Sequence, residues 1–179
     1  PDFWVLIEVD NTFQEILYEE NSGGPFVNDP KKFKSDLYKL FRLGRDSTQK
    51  MGVQLIDDNL QFLSDYESLY EKLCKIELFL MQAYGTNLRI CIMDQPAPPL
   101  CRVRELFNIP IPYKLPVDRI SVLYFVHNLW KVHLGFIETI EKMCNVDQII
   151  NRSRQEPTIQ HVYDLPTLTI QDFTSFPTP

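Results

Sequence analysis

Apolar residues recur at three- and four-residue steps along the stretch 118–150, a spacing that predicts one long α-helix. Asp118 is placed to cap its N-terminus, because a carboxylate oxygen accepts hydrogen bonds from the unpaired N–H groups of the first turn. A second apolar set, which includes Trp130, covers much of the remaining circumference as far as residue 137. A helix that is apolar nearly all round is buried, so we expect a central rod that other elements enclose.

The segments before this rod are also interpreted as helices. Residues 1–20 fit helical spacing, although β-branched and aromatic residues over 3–9 leave a strand open. A second helix is expected over 30–44, because an Asp cap followed by proline at the first helical position is a strong start signal. A third, amphipathic helix is expected over 48–84, and it should lie against the rod.

Two apolar segments fall outside the predicted helices. Residues 86–117 contain six of the thirteen prolines in the chain and are interpreted as a long, irregular crossover. Residues 151–179 alternate apolar and turn residues and are interpreted as an extended C-terminal arm. The crossover is too apolar to be left in water, so it must pack across the bundle or against a partner.

The expected fold is therefore mainly α, with a bundle of four to five helices over 1–150, a long Pro-rich crossover and an extended arm over 151–179. The length of 179 residues suits a single globular domain. The polar groups within 120–137, among them two histidines and a lysine, argue against a membrane span there. The chain begins at Pro1, and we expect it to be a fragment of a larger protein.

Charge is distributed in blocks along the chain. Residues 1–29 hold seven acidic and no basic side chains, whereas residues 30–50 hold seven basic and two acidic ones. The basic segment either packs between acidic neighbours or faces an acidic partner, a phospholipid surface or nucleic acid. The net charge of −6 argues against general nucleic-acid binding. The predicted basic surface consists of Lys32, Lys34, Lys39 and Arg42.

The sequence carries no recognisable catalytic or metal-binding motif. The four cysteines form no C-x-x-C pair, and neither a G-x-S-x-G motif nor a glycine-rich phosphate loop occurs. His127 and His133 are six residues apart and cannot ligate one metal from one helix face. Both are interpreted as core or helix-interface residues, with His133 the better candidate for a pH-sensitive group. No metal and no cofactor are expected.

The favoured hypothesis is a non-catalytic interaction or scaffold module of an intracellular protein, cytoplasmic or nuclear, that binds other proteins or itself. Two alternatives stay open. One is a secreted, cytokine-like helical ligand with a Cys91–Cys101 disulfide, and the other is an enzyme with a site around His133. The predicted partner-binding residues lie on the crossover and the arm: Phe107, Tyr113, Tyr163, Leu165, Leu168, Ile170, Phe173 and Phe176.

Overall fold

A β-sheet with helices on both faces forms the scaffold of the protein. The computed structural model describes residues 1–24, 29–62, 66–97, 99–113 and 118–155, apart from the side chain of Tyr66. Within these residues the chain forms five strands and three helices. In chain order they are β1 (Phe3–Val9), β2 (Thr12–Asn21), α1 (Pro30–Asp57), α2 (Tyr66–Leu73), β3 (Leu78–Tyr84), β4 (Asn87–Ala97), β5 (Leu100–Pro110) and α3 (Arg119–Gln155).

The strands lie in the sheet in the same order as in the chain, from β1 at one edge to β5 at the other. β2 and β3 are parallel, and every other neighbouring pair is antiparallel. Parallel neighbours need a crossover connection, which α1 and α2 supply. The β1–β2 hairpin turns at Asp10 and Asn11, whose φ angles of 52° and 57° are those of a type I′ turn.

The helices cover opposite faces of the sheet. Successive strand residues point to opposite faces, so neighbouring side chains of β3 enter different clusters. Leu80 packs with Leu40 of α1 on one face, whereas Phe79 packs with Val132 of α3 on the other. A third cluster, which includes Met143 of α3, joins residues of α1, α2, α3 and the β1–β2 hairpin. The central strands are therefore buried on both sides.

Two buried ionisable side chains belong to the apolar cluster that α1 covers. Tyr18 of β2 and Cys91 of β4 are both buried in the cluster that α1 covers. Burial disfavours the charged form of each group, and it raises the pKa of Tyr18 to about 12 and that of Cys91 to about 11. Both side chains are neutral at physiological pH.

The prediction of an all-α helical bundle is wrong. Residues 1–20 form the β1–β2 hairpin, so the strand left open over 3–9 is what folds. The range 48–84, expected as one helix, contains the end of α1, the short helix α2 and the strand β3. The range 86–117, expected as an irregular crossover, contains β4 and β5. Strands that are buried on both faces are apolar at nearly every position, and periodicity does not distinguish them from buried helices.

A break predicted at Gly44 is also wrong, because α1 continues through it to Asp57. A Cβ atom at Gly44 would lie 3.0 Å from Cδ2 of Leu80 and 3.2 Å from Sδ of Met93. The glycine therefore lets α1 approach the sheet closely instead of ending the helix.

The long helix predicted over 118–150 is present as α3, and Asp118 accepts a hydrogen bond from the Ser121 N–H at 3.0 Å. This bond and a similar one from the Ile120 N–H lower the pKa of Asp118. The prediction that the helix is enclosed all round is wrong, since Trp130 is 58% exposed. Of the predicted arm, residues 151–155 continue α3, and the rest lies outside the described residues.

Candidate functional site

The N-terminal half of α3 exposes an apolar surface, which we call the outer face. Its central side chains are between 38% and 68% exposed, and two more at its flank are 75% and 52% exposed. Large apolar side chains exposed together along one helix are unusual on a monomer and mark interaction sites. The central residues are Leu123, Val126, Trp130, Leu134 and Ile137, and the flanking residues are Ile120 and Tyr124.

The opposite side of the same helix packs on the sheet. Val132 is buried there, and the rings of Phe136 and Phe79 meet edge to face with their centroids 5.6 Å apart. At 100° per residue, the inner and outer sets lie about half a turn apart. The fold therefore uses one apolar side of α3, and the other side remains in contact with solvent within the described part of the chain.

The spacing of the outer face is suited to a second helix. Leu123, Trp130 and Ile137 are seven residues apart, with Val126 and Leu134 between them. Seven residues are close to two helical turns, so these side chains form a straight seam of the kind that helices use to pack in pairs. The surface is a ridge of large side chains, which fits a helix or groove of a partner protein.

Charge around the outer face is asymmetric along the helix axis. Arg119 lies before the apolar seam and Lys131 at its centre, whereas Glu138 and Glu141 follow it. Glu138 forms an ion pair with Lys142 at 2.9 Å, so the asymmetry rests on Arg119 at one end and Glu141 at the other. The basic end is thus the N-terminal one. Such asymmetry restricts the direction in which a charged partner can lie.

The two histidines of α3 are exposed, whereas they were expected in the core or between helices. His133 stacks near Trp130, with ring centroids 5.3 Å apart. Two arginines of β5 are engaged with carboxylates away from His133: Arg102 donates to Asp94 at 3.0 Å and Arg104 to Glu77 at 2.6 Å. Among the described residues, no three His, Cys, Asp or Glu side chains are grouped to bind a metal.

The predicted partner-binding residues lie in different places. Phe107 of β5 is half-buried and packs in the cluster beneath α3, and Tyr113 is 46% exposed just after β5. The six arm residues are not among the described residues: Tyr163, Leu165, Leu168, Ile170, Phe173 and Phe176. Of the predicted set, the structure therefore describes only Phe107 and Tyr113, and neither belongs to the outer face.

The four predicted basic side chains of α1 are all exposed: Lys32, Lys34, Lys39 and Arg42. Two of them, Lys32 and Lys39, contact residues of β2. Lys39 forms an ion pair with Glu20, whose carboxylate is largely buried, and Lys32 Nζ donates to the Asn21 carbonyl at 3.3 Å. The pKa of Lys39 is raised by its hydrogen bond to Glu20. Basic and acidic blocks of the sequence thus complement each other in part.

The disulfide considered for the secreted alternative does not fit the strand register. Cys91 of β4 pairs with Glu105 of β5, and Cys101 lies four residues farther along β5. Four residues of a strand span about 13 Å, whereas the Cα atoms of a disulfide lie within about 7 Å of each other. Both are free thiols here, as are Cys74 and Cys144.

Two further features concern the cavities of the protein and the hydropathy of its helices. A cavity of about 20 Å³ between α1 and α2 is large enough for a single water molecule and not for a substrate, whereas two open surface clefts of about 630 and 530 Å³ lie beside the β1–β2 hairpin and beside α2, β4 and β5. None of the described helices combines the length and the hydropathy needed to cross a bilayer.

A second exposed apolar group lies on the hairpin at the β1 edge of the sheet, formed by Phe3, Trp4, Leu6 and Phe13.

The outer face could have been recognised in part from the sequence. The seven-residue spacing of Leu123, Trp130 and Ile137 is visible there, but it was combined with the inner stripe into one apolar rod.

Compared with known proteins, the chain matches no family model, no curated protein and no solved structure. Its function must therefore follow from the chemistry of its own surfaces.

Proposed function

We propose that the protein is a non-catalytic protein–protein interaction module and that the outer face of α3 is its docking surface. The observation that carries the proposal is the exposure of five large apolar side chains in one straight seam. These side chains are not needed to complete the core, because Val132 and its neighbours already cover the sheet. A role outside the fold explains why apolar residues occupy these positions.

Covering the outer face would release a considerable free energy. Full burial of a large apolar side chain contributes about 1.5–3 kcal/mol, and the five central side chains are still 38% to 68% exposed, so about half of that gain remains for each of them. Part of that gain offsets the loss of translational and rotational freedom on association. The remainder is enough for a specific complex if the partner presents a matching apolar surface.

The setting that we propose is intracellular, in the cytoplasm or the nucleus, with neither a cofactor nor a nucleic-acid ligand. Four free thiols support it, because intracellular compartments keep cysteines reduced. The net charge of −6 disfavours general contact with phosphates. Partners are therefore other proteins or further copies of the chain.

A photo-cross-linking experiment tests this proposal. A benzophenone amino acid is placed at Trp130 or, as control, at Tyr38, which is 72% exposed on α1. In cells that make the protein, we expect cross-linked products from position 130 and few from position 38. Equal labelling at the two positions would contradict a docking role for the outer face.

A matched variant makes the test specific. Leu123→Asp with Ile137→Asp should abolish the cross-link from position 130, because both charges would lie inside the covered surface. The same pair should change the free energy of unfolding by about 1 kcal/mol or less, since both side chains are exposed. A cross-link that survives the double substitution would show that another surface makes the contact.

A further inference from the structure

We propose that the occupant of the outer face is a second copy of this chain, with the two α3 helices packed antiparallel about a two-fold axis at Trp130. This inference rests on the proposed docking function. A two-fold interface must be self-complementary, since the same patch contributes both sides. The outer face meets this requirement in its apolar pattern and in its charges.

The apolar seam is symmetric about Trp130. In an antiparallel pair centred there, residues equally far before and after Trp130 face each other. Leu123 and Ile137 are each seven residues away, and Val126 and Leu134 are each four residues away. Every central side chain therefore meets another apolar side chain, and Trp130 meets its own copy. The apolar contact would extend for about 21 Å along the helices.

The charges at the two ends select the antiparallel direction. Arg119 lies eleven residues before Trp130 and Glu141 lies eleven residues after it, both outside the apolar seam. Antiparallel packing brings each Arg119 to the Glu141 of the other copy and forms two symmetric ion pairs. Parallel packing would instead place each charge beside its own copy, which is unfavourable.

The side chain of Lys131 is unfavourable in this arrangement, so its removal distinguishes a second copy of the chain from an acidic partner protein. Lys131 follows Trp130 directly and would lie near its own copy beside the axis. Two ammonium groups brought close together repel each other, so Lys131→Ala should tighten the dimer. If the partner were instead an acidic protein, removing this cation would weaken the complex.

Sedimentation equilibrium of the full chain over the micromolar range tests the inference. We expect a reversible monomer–dimer equilibrium, as an interface of one helix pair is small. Arg119→Glu and Glu141→Arg should each weaken the dimer by about tenfold, because each turns two attractions into repulsions. The double variant, in which the charges are exchanged, should restore the affinity of the original chain.

Disulfide trapping tests the position of the axis. In a Cys144→Ser background, which removes the exposed native thiol, Trp130→Cys should form an intermolecular disulfide readily. Val126→Cys is the matched control, because in the proposed pair it lies about 12 Å along the axis from its own copy. More disulfide from position 126 than from position 130 would overturn this arrangement.

The outcomes separate this inference from the proposed function. A chain that stays monomeric while position 130 still cross-links to a different protein overturns the second copy and leaves the docking function intact. A monomer whose position 130 cross-links only within the chain, to residues 156–179, overturns both. A dimer whose charge-exchanged double variant fails to recover affinity overturns the antiparallel pair and not the docking face.

Discussion

The two halves of α3 are built on the same helix but have opposite surroundings. In the C-terminal half, Met143, Val146 and Ile150 are 0% exposed, and the outward positions are mostly polar. In the N-terminal half, the inward side is covered in the same way, but the outward side is apolar as well. One half is thus an ordinary amphipathic helix, and the other carries an additional apolar face. Folding accounts for one stripe of α3, and the docking role that we propose would account for the second.

The C-terminal half is also attached to the sheet by polar contacts. The Asp10 N–H donates to Asp147 Oδ1 at 2.8 Å, and Asn59 Nδ2 donates to Asp10 Oδ2 at 3.0 Å. Arg154 adds a two-pronged ion pair with the same Asp10 carboxylate, whose side chain is almost fully buried. The β1–β2 turn is therefore held between α1 and the end of α3.

The largest expected effect is on the free energy of unfolding, and it should differ between the two halves of α3. Met143→Ala should lower the free energy of unfolding by about 2–5 kcal/mol, because it leaves a cavity where three helices meet. Trp130→Ala should lower it by about 1 kcal/mol or less, since the indole is 58% exposed. Urea unfolding at sub-micromolar concentration, where a weak dimer dissociates, measures both. Comparable losses would show that the outer face belongs to the core of the monomer.

A smaller effect tests the polar attachment of the C-terminal half. Arg154→Ala should cost about 1–3 kcal/mol, because it leaves the Asp10 carboxylate buried without its cation. Arg152→Ala is the matched control at the same helix end, and an exposed position such as this should change stability by less than about 0.5 kcal/mol. Thermal unfolding of the two variants gives the comparison. Equal values for both would mean that the attachment contributes little.

The smallest effect concerns the boundary between the halves, where Gly135 faces the sheet. A Cβ atom there would lie 3.4 Å from Cζ of Phe79, an ordinary contact, so Gly135→Ala should stabilise the protein by about 0.5–1 kcal/mol. Gly52→Ala is the control in α1, where an added Cβ atom meets nothing within 4 Å. Chemical denaturation of both variants tests the contact. Destabilisation by Gly135→Ala alone would mean that α3 lies closer to the sheet than described.

Local signals in the sequence predicted the starts of α1 and α3, although not that of α2. Asp29 accepts hydrogen bonds from the N–H groups of Lys31 and Lys32 at 3.0 and 3.1 Å, as its position before Pro30 indicated. Capping depends on one residue and its nearest neighbours, so no knowledge of the fold is needed to recognise it. The start of α3 at Asp118 was predicted for the same reason.

Strand pairing was not predictable in the same way. The prolines of 86–117 suggested an irregular crossover, but Pro96 lies near the end of β4 and Pro110 is the last residue of β5. A proline is tolerated at a strand end, where its missing N–H breaks no interior hydrogen bond. Prolines thus marked the limits of two strands that were interpreted as a single loop. Nothing local distinguishes the two cases.

The sequence alone is sufficient for the start of α1, for the start and most of the length of α3, and for the presence of two apolar stripes on α3. Which stripe is buried was decided only by the tertiary structure. Burial depends on the sheet that Phe79 and its neighbours build, and that sheet requires the parallel pairing of β2 with β3, which joins residues far apart in the chain such as Leu17 and Phe79. An apolar side chain has the same local preference on either side of a helix. Only the surface that packs against it decides whether it belongs to the core or to an interface.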